Sequence, residues 1–387
     1  MNNNKKPIEY AEMVCNAIMN KYTAEKLPPE GVLFYHQGVF LSGMQRMYLL
    51  NGKKKYYEYI KNYVDAVIDK NGKIAGFEQE DITSDSSYFV KSALKMLDHK
   101  QPSIILYQLY EETKDERYKK AIDTIAKSMH FWPANEYGGY WHMMMQPEQM
   151  WLDGAYMVGP LSVMYDKHFG DPQLRERAVK QILLMNKFMK DEKTGLYYHG
   201  CDFSEENKEK WADPITGLSG QFWGRAIGWY AVAILDVLDY LPKNHPEREK
   251  LCDIEKELLK AVTKFQDEIT GGWFEVVDKP SEPDNWVESS CTCLFIYSYA
   301  KAMRMGIIDK QTYESVLIKA YEGMIASIYT DDDGFAVIDN ICIGTCINEG
   351  TYTYYINRPT TKNDLHGTGA FVLMCTEMEK YYSGKED

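Results

Sequence analysis

The sequence predicts an all-α chain closed into an (α/α)6 barrel, six helical hairpins in a ring, with short strand-like pieces in the loops. Three observations carry this expectation. Long stretches place apolar residues at helical spacing, few segments alternate with period two, and a glycine-containing turn recurs at intervals of about 60 to 75 residues. That interval is the length of two helices and two loops. Dividing the 387 residues by six gives about 64 per unit, so a single domain over 1–387 is expected rather than two. No Pro/Ser-rich linker or charge block marks a boundary. An open solenoid of helix pairs is the competing arrangement.

In chain order, the helical stretches are exemplified by Pro102–Tyr110, Leu174–Met189, Ala226–Leu241 and Cys291–Met305. The strand-like exceptions are short, at Leu196–His199 and Gly272–Val277. The recurring turn combines an acidic or polar residue with glycine and then aromatics. It occurs at Asp69–Gly72, Tyr137–Trp141, Asp191–Tyr198, Asp267–Phe274 and Asp331–Phe335.

Composition narrows the function classes. The chain is 45% hydrophobic and 26% charged, and its 30 Tyr and 8 Trp lie largely beside Gly, His and Asp. Rings with polar edges suit stacking on sugar faces, and they equally fill a large core. A formal net charge of −13 without any basic stripe argues against nucleic acid. It leaves an anionic substrate open, because screening over about 8 Å isolates a cleft from scattered surface acids. The N-terminal stretch has no apolar leader core, and no run of 18 apolar residues follows. A cytoplasmic protein with no membrane partner is therefore expected. The 8 cysteines form no CxxC pair and have no zinc spacing, so buried free thiols are expected, with no metal or cofactor.

Three segments carry candidate chemistry. In Gly138–Pro160, Pro147 fits the first turn of a helix, which places Asp153 and Gly154 in its interior. Met150 and Met157 then share a face with Asp153, and apolar neighbours should raise the carboxyl pKa, the profile of a general acid. The plainer alternative is a buried Asp bonded to an amide or an Arg. In Trp211–Tyr230, Ser219 is a candidate cap for a helix with Phe222, Arg225 and Trp229 on one face. Arg225 is then either a stacked structural cation or a carboxylate clamp, and Gly224 and Gly228 admit either a ligand or a close helix. Asp98 lies just before a helix, where amides alone would satisfy it. His142 and His199 each follow aromatic residues and would orient a sugar hydroxyl or satisfy a core hydrogen bond. Asn363–Phe371 is a Gly-rich turn without phosphate-loop spacing.

At these segments the sequence resembles glycoside hydrolase family 105, the unsaturated rhamnogalacturonyl hydrolases. The resemblance runs from Tyr35–Phe40 to Asn363–Phe371 and is most specific at Gln149–Gly154, Trp211–Pro214, Phe222–Arg225 and Gly228–Tyr230. It implies the (α/α)6 barrel, a catalytic Asp at Asp153 and a second acidic residue at Asp98. After Asp98 the chain has His99-Lys-Gln-Pro-Ser103 where an Asn-Pro-Gly-like run is expected of the family. His142, His199, Arg225 and Trp229 are similar to the family's site-lining positions, with Tyr35, Trp141 and Trp211 as further substrate contacts. The implied substrate is a small disaccharide ending in a 4,5-unsaturated uronic acid, left by a lyase acting on pectin. The implied reaction is Asp-catalysed hydration of its vinyl ether. A sugar epimerase using His142 and His199, and a non-catalytic glycan-binding toroid, are the competing functions.

Overall fold

The computed structural model describes residues 5–75, 95–206 and 208–384; residues 1–4, the start of the stretch read for a leader, lie outside the described residues. Six helices form an inner ring: α2 (Tyr35–Asn51), α4 (Ile104–Thr113), α6 (Asp153–Phe169), α8 (Gly224–Tyr240), α10 (Ser289–Arg304) and α13 (Leu365–Ser383). The outer layer is α1 (Pro7–Lys21), α3 (Lys54–Val67), α5 (Glu116–His130), α7 (Pro172–Met189), α9 (Arg248–Thr263) and α11 (Lys310–Ser327). A short helix, α12 (Tyr352–Ile356), sits in the last long connection. The inner helices pack side by side, and α13 closes the ring against α2. This is the expected (α/α)6 barrel, with one departure from six successive units. The hairpin that closes it pairs the C-terminal α13 with the N-terminal α1.

The division into layers follows from sequence. Inner α8 and α10 are apolar around most of their circumference and are buried along nearly their whole length. Outer α3 and α5 bury one stripe and expose a charged face. The glycines of α8 resolve the alternative left by sequence, because a helix fills the space beside them. A Cβ on Gly228 would lie 2.8 Å from Leu294 Cβ of α10, and one on Gly224 would lie 2.9 Å from Cys291 Sγ. Replacing Gly228 by Ala should therefore overpack this crossing, costing about 1–3 kcal/mol in urea unfolding.

The repeating turns have a common construction. The side chains of Asp69, Asp191, Asp267 and Asp331 each accept a backbone N–H two to four residues on. Gly72, Gly195, Gly271 and Gly334 follow at φ 81, 79, 76 and 83°, a left-handed backbone that glycine adopts without strain. Asn135 and Gly138 build the remaining one. Each turn follows an outer helix and sends the chain to the face where the inner helices begin. The faint sequence repeat therefore marks the returns that build one face of the barrel.

Two local expectations change. Residues Gln149–Trp151 form strand β1, paired antiparallel with β2 (Gly200–Asp202), and α6 begins at Asp153. Asp153 is thus the first helical residue, not an interior one. Likewise α8 begins at Gly224, and Ser219 accepts from the Gly200 amide instead of capping a helix. In both places, pairing with residues distant in sequence overrides the local signal. All eight cysteines are free. No helix among the described residues is long and apolar enough to cross a membrane.

Candidate active site

A cavity of about 250 Å³ opens on the face where inner helices begin. Its lining includes Asp98, His142, Asp153, Tyr35, Trp151 and Trp223. A larger groove, about 1110 Å³, lies over the outer helices α1 and α11 and contains no His or Asp. The smaller cavity is the chemical one, because buried carboxyl and imidazole groups converge there.

Short backbone links hold these groups. Leu97 N donates to His142 O (3.0 Å), His142 N to Gln149 O (2.8 Å), and Leu152 N to His199 O (3.0 Å). With the β1–β2 ribbon, these bonds bring four segments together and fix two carboxylate–imidazole pairs. Asp98 Oδ1 lies 3.4 Å from His142 Nε2, and Asp153 Oδ2 lies 3.2 Å from His199 Nε2. His142 stacks on Trp151 at 4.6 Å and 14°. His199 is sealed between the edge of Trp151 and the face of Trp223. All four members of the pairs are buried.

The electrostatics correct the expected pKa of Asp153. Burial does raise it, but the His199 hydrogen bond and the His199, His142 and Arg225 charges outweigh burial and hold it below the ordinary value. Met150, expected on the helix face of Asp153, lies in β1 instead. Conversely, burial lowers the His142 pKa, and the charge and hydrogen bond of Asp98 reverse this and raise it. His199 stays lowered, mainly by burial.

Helix beginnings add a fixed positive potential. Tyr35 and Asp153 are the first residues of α2 and α6, while Trp223 and Asp364 are the N-caps of α8 and α13. Helix N-termini favour anions, so a chain of net charge −13 can still present a cavity that suits a carboxylate.

The predicted residues divide into groups. Tyr35, Asp98, His142 and Asp153 line the cavity, and His199 lies behind Asp153. Arg225 is buried beneath the wall, stacked on Trp223 at 4.4 Å, and donates to the carbonyls of Cys342 (2.6 Å) and Ile343 (2.7 Å). It anchors the segment whose residues Gly344, Thr345 and Cys346 form one side of the cavity. Trp229 lies fully inside the core, stacked on Tyr156 at 4.6 Å. Trp211 packs behind the wall against Met143, Trp151 and Ile347. Trp141 is outside the lining. The indoles that do line it, Trp151 and Trp223, lie within the motif stretches, two residues before Asp153 and two before Arg225.

Phe34 and His36 were also missed, the N-cap and the second residue of α2 on either side of Tyr35. His36 Nδ1 and His366 Nδ1 lie 2.9 and 2.7 Å from Asp364 Oδ1. These are hydrogen-bond spacings.

A helical toroid with a pocket of paired carboxylates, imidazoles and indoles at the inner helix N-termini defines a carbohydrate-active enzyme. The sequence profile of Glycosyl Hydrolase Family 88 matches residues 10–382. A solved glycoside hydrolase of family 105 from C. acetobutylicum ATCC 824 is 31% identical, with a TM-score of 0.87, covering 96% of this chain and 99% of that one. The unsaturated rhamnogalacturonyl hydrolase YesR of Bacillus subtilis is 29% identical over 38% of this chain and 39% of its own length. An unsaturated 3S-rhamnoglycuronyl hydrolase of Alteromonas sp. is 23% identical over 59% of this chain and 50% of its own. The chain belongs to this glycoside hydrolase family, 88 by its profile and 105 by its structural relative.

Proposed function

We propose that this enzyme removes a 4,5-unsaturated uronic acid, derived from galacturonate and linked to rhamnose, from lyase-generated pectin disaccharides. The single observation carrying this reading is the Asp153–His199 pair at the start of α6, beside a second carboxylate, in a small cavity ringed by helix N-termini. The names of the similar hydrolases support the substrate class. The free thiols fit a cytoplasmic step that receives small fragments.

In this mechanism, protonated Asp153 donates to C4 of the alkene, and positive charge develops at C5 beside the ring oxygen. Water adds at C5 and gives its proton to the Asp153 carboxylate, which restores the acid. The resulting hemiketal opens, and the sugar at C1 leaves without direct attack on the anomeric carbon. The carboxylate-separation rule for retention and inversion therefore has no role here. The substrate carboxylate lies among the helix N-termini, near Tyr35 and the Gly344–Cys346 wall. Trp151 and Trp223 supply apolar faces, and Asp98 with His142 binds ring hydroxyls. Arg225 acts through the wall that it anchors, while Trp211 backs Trp151. Trp141 and Trp229 have no assigned contact.

The test is the ultraviolet absorbance of the unsaturated uronate during incubation with unsaturated galacturonyl-rhamnose. The expected result is loss of the absorbance with stoichiometric release of rhamnose. Persistent absorbance on both plain and 3-sulfated rhamnose substrates would overturn the proposal. Incorporation of deuterium at a sugar carbon of a saturated disaccharide in heavy water would instead indicate an epimerase.

A further inference from the structure

We infer that Tyr355, in α12, is a positioning residue for this reaction: its hydroxyl fixes the His199 tautomer and thereby directs the Asp153 acidic proton to the oxygen facing the substrate. The inference rests on the proposed role of Asp153.

Tyr355 is fully buried, and its hydroxyl lies 2.7 Å from His199 Nδ1. The opposite ring nitrogen, Nε2, lies 3.2 Å from Asp153 Oδ2. A line of polar atoms thus runs from the phenol through the imidazole to the carboxylate, with indoles on the flanks of the ring. A neutral imidazole carries one N–H, and the partner of one nitrogen decides the state of the other. When the Tyr355 hydroxyl donates to Nδ1, the proton of His199 is on Nε2. Nε2–H then faces Asp153 Oδ2 across the 3.2 Å contact, and neither of these two buried atoms has another hydrogen-bond partner among the described residues. The reverse tautomer would aim a nitrogen lone pair at an ionised carboxylate, which is repulsive.

The consequence concerns the other carboxyl oxygen. Oδ2 is buried against His199, whereas the Asp153 side chain retains 13% exposure, leaving Oδ1 as the oxygen free to face the cavity. With Oδ2 facing Nε2–H at 3.2 Å, a proton taken up by Asp153 resides on Oδ1. That oxygen transfers it to C4 and later receives one from water. His199 and Tyr355 gain and lose no proton over the cycle.

Tyr355 is tied to the same loop region as the cavity wall. The Tyr355 carbonyl accepts from the Arg358 amide, and the Arg358 side chain donates to Thr345 Oγ1 at 3.1 Å and to Gly344 O at 2.7 Å. The segment that forms part of the wall therefore also holds the phenol.

Tyr355→Phe removes one oxygen and keeps the ring. The expected result is a kcat lowered at least about tenfold with KM within about twofold. The alkaline limb of the kcat profile should move to higher pH, because Asp153 loses an oriented donor to its ionised form. His199→Gln supplies an amide donor in place of Nε2–H without needing the phenol. In that background Tyr355→Phe should have no further effect on kcat. Circular dichroism and thermal unfolding of each variant separate folding from function. An unmoved pH limb, or an equal kcat loss in the His199→Gln background, would overturn the inference, as would unchanged kcat. If wild type does not consume the alkene, the functional proposal itself fails. If wild type is active, Asp153→Asn is inactive and Tyr355→Phe is normal, only this inference fails.

Discussion

Asp153→Asn should lower kcat by about a thousandfold on an unsaturated uronyl disaccharide while leaving substrate binding nearly intact. The amide keeps the size of the carboxyl and can still accept from His199 Nε2 at the 3.2 Å position, so the fold and tautomer are preserved. It cannot deliver a proton, and positioned acid catalysis contributes about 10² to 10⁴ in rate. Single-turnover loss of alkene absorbance checks the chemistry, and calorimetric titration with substrate checks binding. The pH dependence gives the same assignment a second test. Asp153 is held below the ordinary carboxylate value in the free enzyme, and the reaction needs its protonated form. Wild-type kcat/KM should therefore fall as pH rises above that lowered pKa. A bound uronate brings a second negative charge and excludes water, both of which raise the pKa of Asp153. The alkaline limb of kcat should accordingly lie at higher pH than that of kcat/KM, and the Asn variant should lose both limbs. A folded Asn variant with more than about a tenth of wild-type kcat would remove Asp153 from the acid role.

The legible part of this molecule was local. The Gly-containing turns announced the number of returns, and their Asp side chains and left-handed glycines make the same bonds each time. Asp98, His142, Asp153 and His199 stood out because polar groups sit within aromatic or methionine-rich segments. What sequence misassigned was orientation. Helix α8 is buried on all sides, so periodicity could not tell Trp229, which faces Tyr156 in the core, from Trp223, which faces the cavity. The Asp153 pKa went the wrong way because its decisive neighbour, His199, arrives through β1–β2 pairing rather than along α6. Tyr355, His36 and Asp364 were missed for a related reason. His36 lines the cavity and Tyr355 and Asp364 stand behind it, brought there by the final connection and the closure of α13 on α2, and none of the three has a local signature.

At the opposite end of the barrel, replacement of Asp236 by Leu should destabilise the protein by about 3–5 kcal/mol without altering kcat at temperatures where it remains folded. Asp236 of α8 is buried and accepts from Arg46 of α2 (2.6 Å), and from Lys301 (2.6 Å) and Tyr297 (2.5 Å) of α10. Lys301 also bonds to Asp239. One carboxylate thus joins three inner helices by two cations and a phenol. Removing it leaves Arg46 and Lys301 close together without the carboxylate that bonds both, and an unpaired buried charge costs more than the original pair contributed. The pH dependence has a definite sign. Burial alone would raise the Asp236 pKa, but the Arg46 and Lys301 charges outweigh it and place it far below the ordinary carboxylate value. A depressed folded pKa contributes stability above the unfolded value, about 3.9, which is lost as pH falls toward the folded one. The stability gap between wild type and Asp236→Leu, measured by urea unfolding, should be full near neutrality and narrow below about pH 4. A gap that stays constant with pH would trace the loss to packing of the leucine instead. Because this cluster lies among the later turns of the inner helices and the catalytic groups lie at their starts, the two ends can be tested separately. Stability should follow Asp236, and turnover should follow Asp153.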